Sequence, residues 1–303
     1  MIVRKQPTIK LVFNGFFIAL MNFLLMTTGQ VIGQILAVIP FSFLVPKQDG
    51  MSFYLYSAYS SNYIAKLPEY TLVSTVLGEG LALLFVWLVA HFVFGIRLRH
   101  IFRNTKEALK ITWPIIIFII PNLLSYGSNI AEDGFSFKYL VYGIIIGTSV
   151  AIFEEYSNRA VLVNYFQRRK ADNLNYFYIA LMSGVFFGVM HLINLLQASA
   201  SNTVLQVIYA SGIGILFGAI YLRTKNLFVP ILAHAIIDAS AYASAPKQAL
   251  STGNSNPELF TWIFYVGVTI FYLVYVWMTI RSTKKQEQIT KLWNEDFQST
   301  NVE

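Results

Sequence analysis

The chain has no cysteine. Disulfides, thiolate catalysis and cysteine-ligated zinc are therefore excluded, and so is prenylation or palmitoylation on cysteine. Charge is scarce as well. Only 12% of the 303 residues are Asp, Glu, Lys or Arg, about half the share usual in a soluble domain. The HExxH signature, which puts two zinc ligands and a base on one helix turn, is absent. No long linker, low-complexity stretch or convincing internal repeat divides the chain, and the lack of a two-fold repeat with matching broken helices argues against a transporter.

Apolar length fills the space. Hydrophobic residues make up 56% of the sequence, with 25 Phe and 18 Tyr. A membrane helix needs about 20 mostly apolar residues. Candidate spans run over 11–39, 71–96, 111–126, 138–166, 176–197, 204–222, 227–243 and 259–280, the third and seventh being short. The first run is far longer than a signal-peptide core, reads as a retained membrane segment, and can continue past Pro40 along the interface. The expected fold is all-α, a polytopic transmembrane bundle of about eight helices. Residues 1–280 form one membrane domain with a motif-bearing core at about 138–243. A polar cytoplasmic tail, helical or disordered, covers 281–303.

The net charge of +7 is not a nucleic-acid footprint, because the basic residues cluster between apolar runs. Arg97, Arg99, Arg103, Lys106 and Lys110 follow the second span, Arg168 to Lys170 the fourth, Arg223 and Lys225 the sixth, and Arg281, Lys284 and Lys285 the eighth. The alternate loops carry little basic charge. Eight spans with both termini in the cytoplasm satisfy that alternation. Three small-residue faces, Gly143-x-x-x-Gly147, Gly184-x-x-x-Gly188 and Gly214-x-x-x-Gly218, would let helix backbones approach closely, although ordinary glycine use in membrane helices would leave the same pattern.

Polar side chains inside spans are costly, about 2.5–3.5 kcal/mol for each charge on insertion scales. Here they concentrate in three helices: Glu154, Glu155 and Arg159 in the fourth span, His191 in the fifth, His234 and Asp238 in the seventh. Glu155 and Arg159 are i and i+4 with the acid first, the order that favours an intrahelical pair. Glu154 lies about 100° round the helix, which leaves it free as a candidate general base. Phe187 and His191 share a face four residues apart. Asp238 could hold one nitrogen of the His234 ring and leave the other to act. At ~1.5 Å per residue, Glu154, Asp238, His234 and His191 lie ~21, ~20, ~14 and ~25 Å from the nearest basic loop, all inside a slab of roughly 30 Å. Each pair alone is equally compatible with helix bracing. Glu79 and His91, near the ends of the second span, read as structural or interfacial.

Glu154-Glu155-Tyr156-Ser157-Asn158-Arg159 has the form EExxxR, Phe187-Gly188-Val189-Met190-His191 the form FxxxH, and His234-Ala235-Ile236-Ile237-Asp238 the form Hxxx(N/D). In that order, on separate late spans, they resemble the CPBP family (CAAX proteases and bacteriocin-processing enzymes, or Abi), which includes the type II CAAX prenyl endopeptidases. The resemblance covers about 138–243. It implies intramembrane peptide-bond hydrolysis, with Glu154 and His191 activating water, His234 and Asp238 stabilising the oxyanion, and Glu155 and Arg159 holding the site. An ionised aspartate only accepts hydrogen bonds, so Asp238 either carries a proton or orients His234. The family has also been described as metalloproteases. Zinc on Glu154, His191 and His234 is the alternative to the metal-free glutamate mechanism favoured here. The expected partners are membrane lipids and a membrane-bound or lipidated peptide, in a multi-pass protein of the cell membrane whose site opens to the cytoplasm, in an oligomeric state left open. The competing reading is a non-catalytic partner such as a bacteriocin-immunity or regulatory protein.

Overall fold

A computed structural model describes residues 8–46, 53–98, 101–169, 174–196, 198–251 and 256–300. Among these no strand occurs, and the chain folds as a bundle of helices. Seven helices are long and apolar enough to cross a membrane, and an eighth apolar helix over Phe228–Ser244 is shorter. All eight candidate spans have a counterpart. The seventh span, already short in the sequence, is the one below spanning length.

Helix α1 covers Thr8–Ser42 and keeps Pro40 in its last turn. It is followed by α2 (Phe53–Ala65) and α3 (Pro68–Phe92), which starts on a proline, where a missing backbone N–H costs nothing. The third span is longer than its apolar core suggested. It begins as α4 (Thr105–Thr112), tightens to a 3₁₀ turn at Trp113–Ile115 around Pro114, and continues as α5 (Ile116–Asp133) until Gly134 at φ 83° ends it. The fourth span starts as α6 (Phe137–Glu155), widens into a π-helix over Tyr156–Val163 and finishes as α7 (Asn164–Arg169). Then come α8 (Tyr176–Met190) with a 3₁₀ segment His191–Leu196, α9 (Ala200–Thr224), α10 (Phe228–Ser251) and α11 (Leu259–Ile280). Side-chain caps from Asn175 and Ser199 start α8 and α9. The polar tail is α12, Thr283–Thr300. It docks through Trp293, which is fully buried and donates to the Leu222 carbonyl at 2.8 Å.

The glycine faces do bring backbones together. A Cβ on Gly143 or Gly147 would stand 2.6 Å from backbone atoms of Ala239, so α6 and α10 pack with almost nothing between them. A Cβ on Gly184 would lie 2.4 Å from the Ile215 nitrogen, which does the same for α8 and α9. Gly218 is looser, with its nearest neighbours at 3.4 Å. A seam not singled out in the sequence joins α1 to α3, where a Cβ on Gly33 would meet the Gly78 nitrogen at 2.4 Å. These contacts, tighter than leucine-lined helices allow, set which side chains face each other across the bundle.

The helix ends fall into two groups. At the basic end, Leu227 and Phe228 donate to the Ile101 carbonyl, Arg168 to the Gly95 carbonyl and Asn226 to the Arg103 carbonyl, while Arg103 pairs with Glu295. At the other end, Lys138 pairs with Glu69, Tyr142 reaches the same carboxylate at 3.5 Å, and Asn194 donates to Gln206 at 2.7 Å. The alternation of loop charge is therefore an arrangement of the folded molecule.

Candidate active site

The end of α6, the π-helical segment after it, the end of α8 and the first half of α10 meet in the middle of the bundle. Glu155 and Arg159 form the base of the site. Both are fully buried, with Oε2 3.0 Å from Nε. The Arg159 guanidinium also donates to the Gly214 carbonyl at 3.2 Å and lies 4.8 and 5.5 Å from the centres of the Phe187 and Phe217 rings. One cation therefore ties α6, α8 and α9 together through an ion pair, a hydrogen bond and two aromatic faces.

The π-helix carries this arrangement. Where α6 widens, Asn158 Nδ2 donates to the Glu154 carbonyl at 2.9 Å, Ser157 Oγ donates to the same carbonyl at 3.1 Å, and Asn22 of α1 donates to the Ser157 carbonyl at 3.1 Å. Side chains thus occupy carbonyls at a point where the helical ladder changes pitch, and such widened turns are frequent at functional sites.

Glu154 faces away from the pair, as the spacing indicated. Its side chain is 18% exposed, and Oε2 has no hydrogen-bond partner among the described residues. It lies 3.6 Å from His234 Nε2, while Asp238 Oδ2 is 3.4 Å from the same nitrogen. The other ring nitrogen, Nδ1, donates to Glu155 Oε1 at 3.0 Å. The Asp238–His234 pair that the spacing suggested is present, and Glu155 is added to it. Glu155 holds the His234 ring, and Asp238 shares the open nitrogen with Glu154. The reason is the close α6–α10 contact at Gly143 and Gly147, which one sequence cannot register.

His191 begins the 3₁₀ segment. Its Nδ1 donates to the Phe187 carbonyl at 2.9 Å, which leaves Nε2 as the acceptor of the neutral ring. The Phe187 ring stands edge-on to His191 at 5.1 Å and to His234 at 5.8 Å. One aromatic therefore separates the two imidazoles and faces Arg159 as well.

Glu154, His191, His234 and Asp238 all line one cavity of about 510 Å³, so the structure brings the sequence-derived residues of three spans together. It adds one that the sequence reading set aside. Glu79 lines the same cavity, is 4% exposed, and accepts from Gln30 Nε2 at 2.7 Å, while its Oε2 has no partner among the described residues. Its signal was visible: an in-span carboxylate between Gly78 and Gly80, with an in-span Gln30 in α1. His91 does sit outside the cavity, stacked on Trp87 at 5.4 Å.

Among the described residues, no group of three or more His, Cys, Asp or Glu is spaced to hold a metal ion. Glu154, His191 and His234 offer donors of the kind that zinc takes.

A helical membrane bundle with a carboxylate, two imidazoles and a buried ion pair around an internal cavity has the parts of a water-activating hydrolase. Residues 136–240, roughly a third of the chain, match the family described as type II CAAX prenyl endopeptidase Rce1-like. That segment contains all three motifs, and the match supports a membrane protease of the CAAX type. No curated protein and no solved structure matches the chain.

Proposed function

We propose that the chain is an intramembrane endopeptidase that hydrolyses a peptide bond of a membrane-bound or lipidated peptide with water activated by Glu154. The observation that carries this reading is Glu154 Oε2, without a hydrogen-bond partner among the described residues and 3.6 Å from His234 Nε2, in the same cavity as His191. A carboxylate and an imidazole acceptor that line one cavity can position a water molecule and take its proton.

In the proposed reaction, Glu154 accepts a proton from water while the lone pair of the His191 acceptor orients the molecule. The hydroxide oxygen bonds to the carbonyl carbon and the C=O electrons move to oxygen. His234 faces the developing oxyanion. Its ring has carboxylate oxygens at both nitrogens, so the doubly protonated form satisfies both sides, and Nε2–H is the donor. Protonated Glu154 then passes its proton to the departing nitrogen, the C–N bond breaks, and a carboxylic acid and an amine leave. Asp238, 3.4 Å from Nε2, holds the ring by its charge and leaves Nε2–H to the oxyanion, a role that an ionised carboxylate fills although it cannot itself donate. Glu155 and Arg159 set the ring's orientation.

The test is Glu154→Gln. Cleavage of membrane peptides, compared between strains carrying the wild-type and variant proteins, should fall by roughly 10²–10⁴-fold, with the protein still inserted and monodisperse in detergent. Undiminished cleavage would end the proposal. Metal content of the purified protein and its response to chelator decide between glutamate and metallo types. Stoichiometric zinc with chelator-sensitive activity would replace Glu154 as sole activator of water.

A further inference from the structure

The cavity has a direction. Towards the basic end the catalytic cluster is closed off by fully buried apolar side chains, among them Leu162, Phe166, Phe217, Ile220 and Leu222. Towards the opposite end the lining continues past Glu79 through Gln30 and Gln34 of α1 and Ser74 and Thr75 of α3. It reaches Thr71, three residues after the start of α3, and Asn194, close to the end of the 3₁₀ segment after α8. At ~1.5 Å per helical residue, Thr71 lies ~5 Å from the helix end and Glu79 ~17 Å. The polar lining thus runs from the centre of the bundle to the end that carries Glu69 and Lys138, away from Arg168, Arg223 and Lys284.

That lining is chemically distinctive. Beyond Glu79 the amides and hydroxyls of Gln30, Gln34, Ser74, Thr75 and Asn194 lie beside the apolar Val150, Met190 and Ile193. Such amides and hydroxyls donate and accept hydrogen bonds with a peptide backbone.

Basic loops stay in the cytoplasm. Building on the endopeptidase reading, we infer that the cavity takes its substrate from the extracytoplasmic side. The substrate class is a polypeptide segment exposed on that face and bound through its backbone amides. This reverses the cytoplasmic opening expected from the sequence, where depth had been counted from the basic loops alone.

The absence of cysteine gives a clean test. Single variants Thr75→Cys and Gln206→Cys place a thiol on the polar lining, and Lys284→Cys places one on exposed α12 at the basic end. Cells are treated with a membrane-impermeant maleimide before and after permeabilisation. Thr75→Cys and Gln206→Cys should label at least tenfold faster than Lys284→Cys in intact cells, with Lys284→Cys labelling fully only after permeabilisation. Labelling of Lys284→Cys in intact cells while the other two wait for permeabilisation would overturn the inference. So would failure of both cavity thiols to label under either condition, since the route would then be closed at that end. Two cavity positions guard against one variant misfolding. Labelling needs no turnover and can be repeated in the Glu154→Gln background, so a wrong sidedness and a wrong chemistry give different results.

Discussion

Replacing Glu155 with leucine isolates what the buried ion pair does. Glu155 and Arg159 are both fully buried and 3.0 Å apart, so Glu155→Leu takes the paired carboxylate from a guanidinium that keeps the Gly214 carbonyl and two aromatic faces. Removing one member of such a pair costs about 3–5 kcal/mol, chiefly because the remaining charge is uncompensated. Replacing both members, Glu155→Leu with Arg159→Met, removes the stranded charge and should recover most of that loss. A deficit of about 1–3 kcal/mol should remain, because His234 Nδ1 loses its acceptor. The double variant should therefore be more stable than the Glu155→Leu single variant, with a coupling of the sign expected for contacting charges. Unfolding midpoints in detergent for wild type, both single variants and the double variant give the cycle, and cleavage measured in parallel should be lost in all three variants. Additive losses, with the double variant as unstable as the sum of the two singles, would refute the idea that the pair works as one unit.

Gly147→Leu should destabilise by about 1–3 kcal/mol through overpacking and lower cleavage, since its Cβ would meet the α10 backbone at 2.6 Å, whereas Gly80→Ala has no atom within 4 Å and should leave both unchanged. Thermal unfolding and cleavage rates of the two variants separate these cases. Glu79→Gln keeps an oxygen acceptor for Gln30 Nε2 and removes the carboxylate from the cavity, so stability should hold while cleavage falls, and a variant with wild-type turnover would make Glu79 structural only. Trp293→Ala should cost about 3–5 kcal/mol, because a fully buried indole with a 2.8 Å hydrogen bond is lost, and a melting curve identical to wild type would mean that α12 is not part of the fold.

The sequence made the membrane helices legible because apolar length is a strong one-dimensional signal, and the basic loops gave their alternation. The separation of Glu154 from Glu155 was also readable, since helical spacing alone turns two adjacent side chains apart. The π-helix was not, because residues 156–163 have a composition that an ordinary helix would accept. The place of Glu79 at the cavity was not legible for a different reason. Its neighbourhood is made by α1 and α3 closing on each other at Gly33 and Gly78, a contact between residues 45 positions apart. The partner of His234 was missed for the same kind of reason: a local i,i+4 pair with Asp238 was visible, while the Glu155 contact spans 79 residues. The short seventh span and the helical tail lay within the expectations. The lining of the cavity was not legible, because it depends on which residues of six helices lie side by side.

The widened turn at Tyr156–Val163 acts as a phase-setter between two halves of one span. Below it, Asn164 and Phe166 lock α7 into the apolar floor; above it, α6 delivers its acidic pair to α10. Removing a single residue after Arg159, between Ala160 and Val163, would let the stretch rewind as an ordinary helix, and everything above would swing by about 100°. The acidic side chains would then point away from the imidazoles although every motif letter remained, so the length of this segment constrains the chemistry as strictly as the identity of its residues.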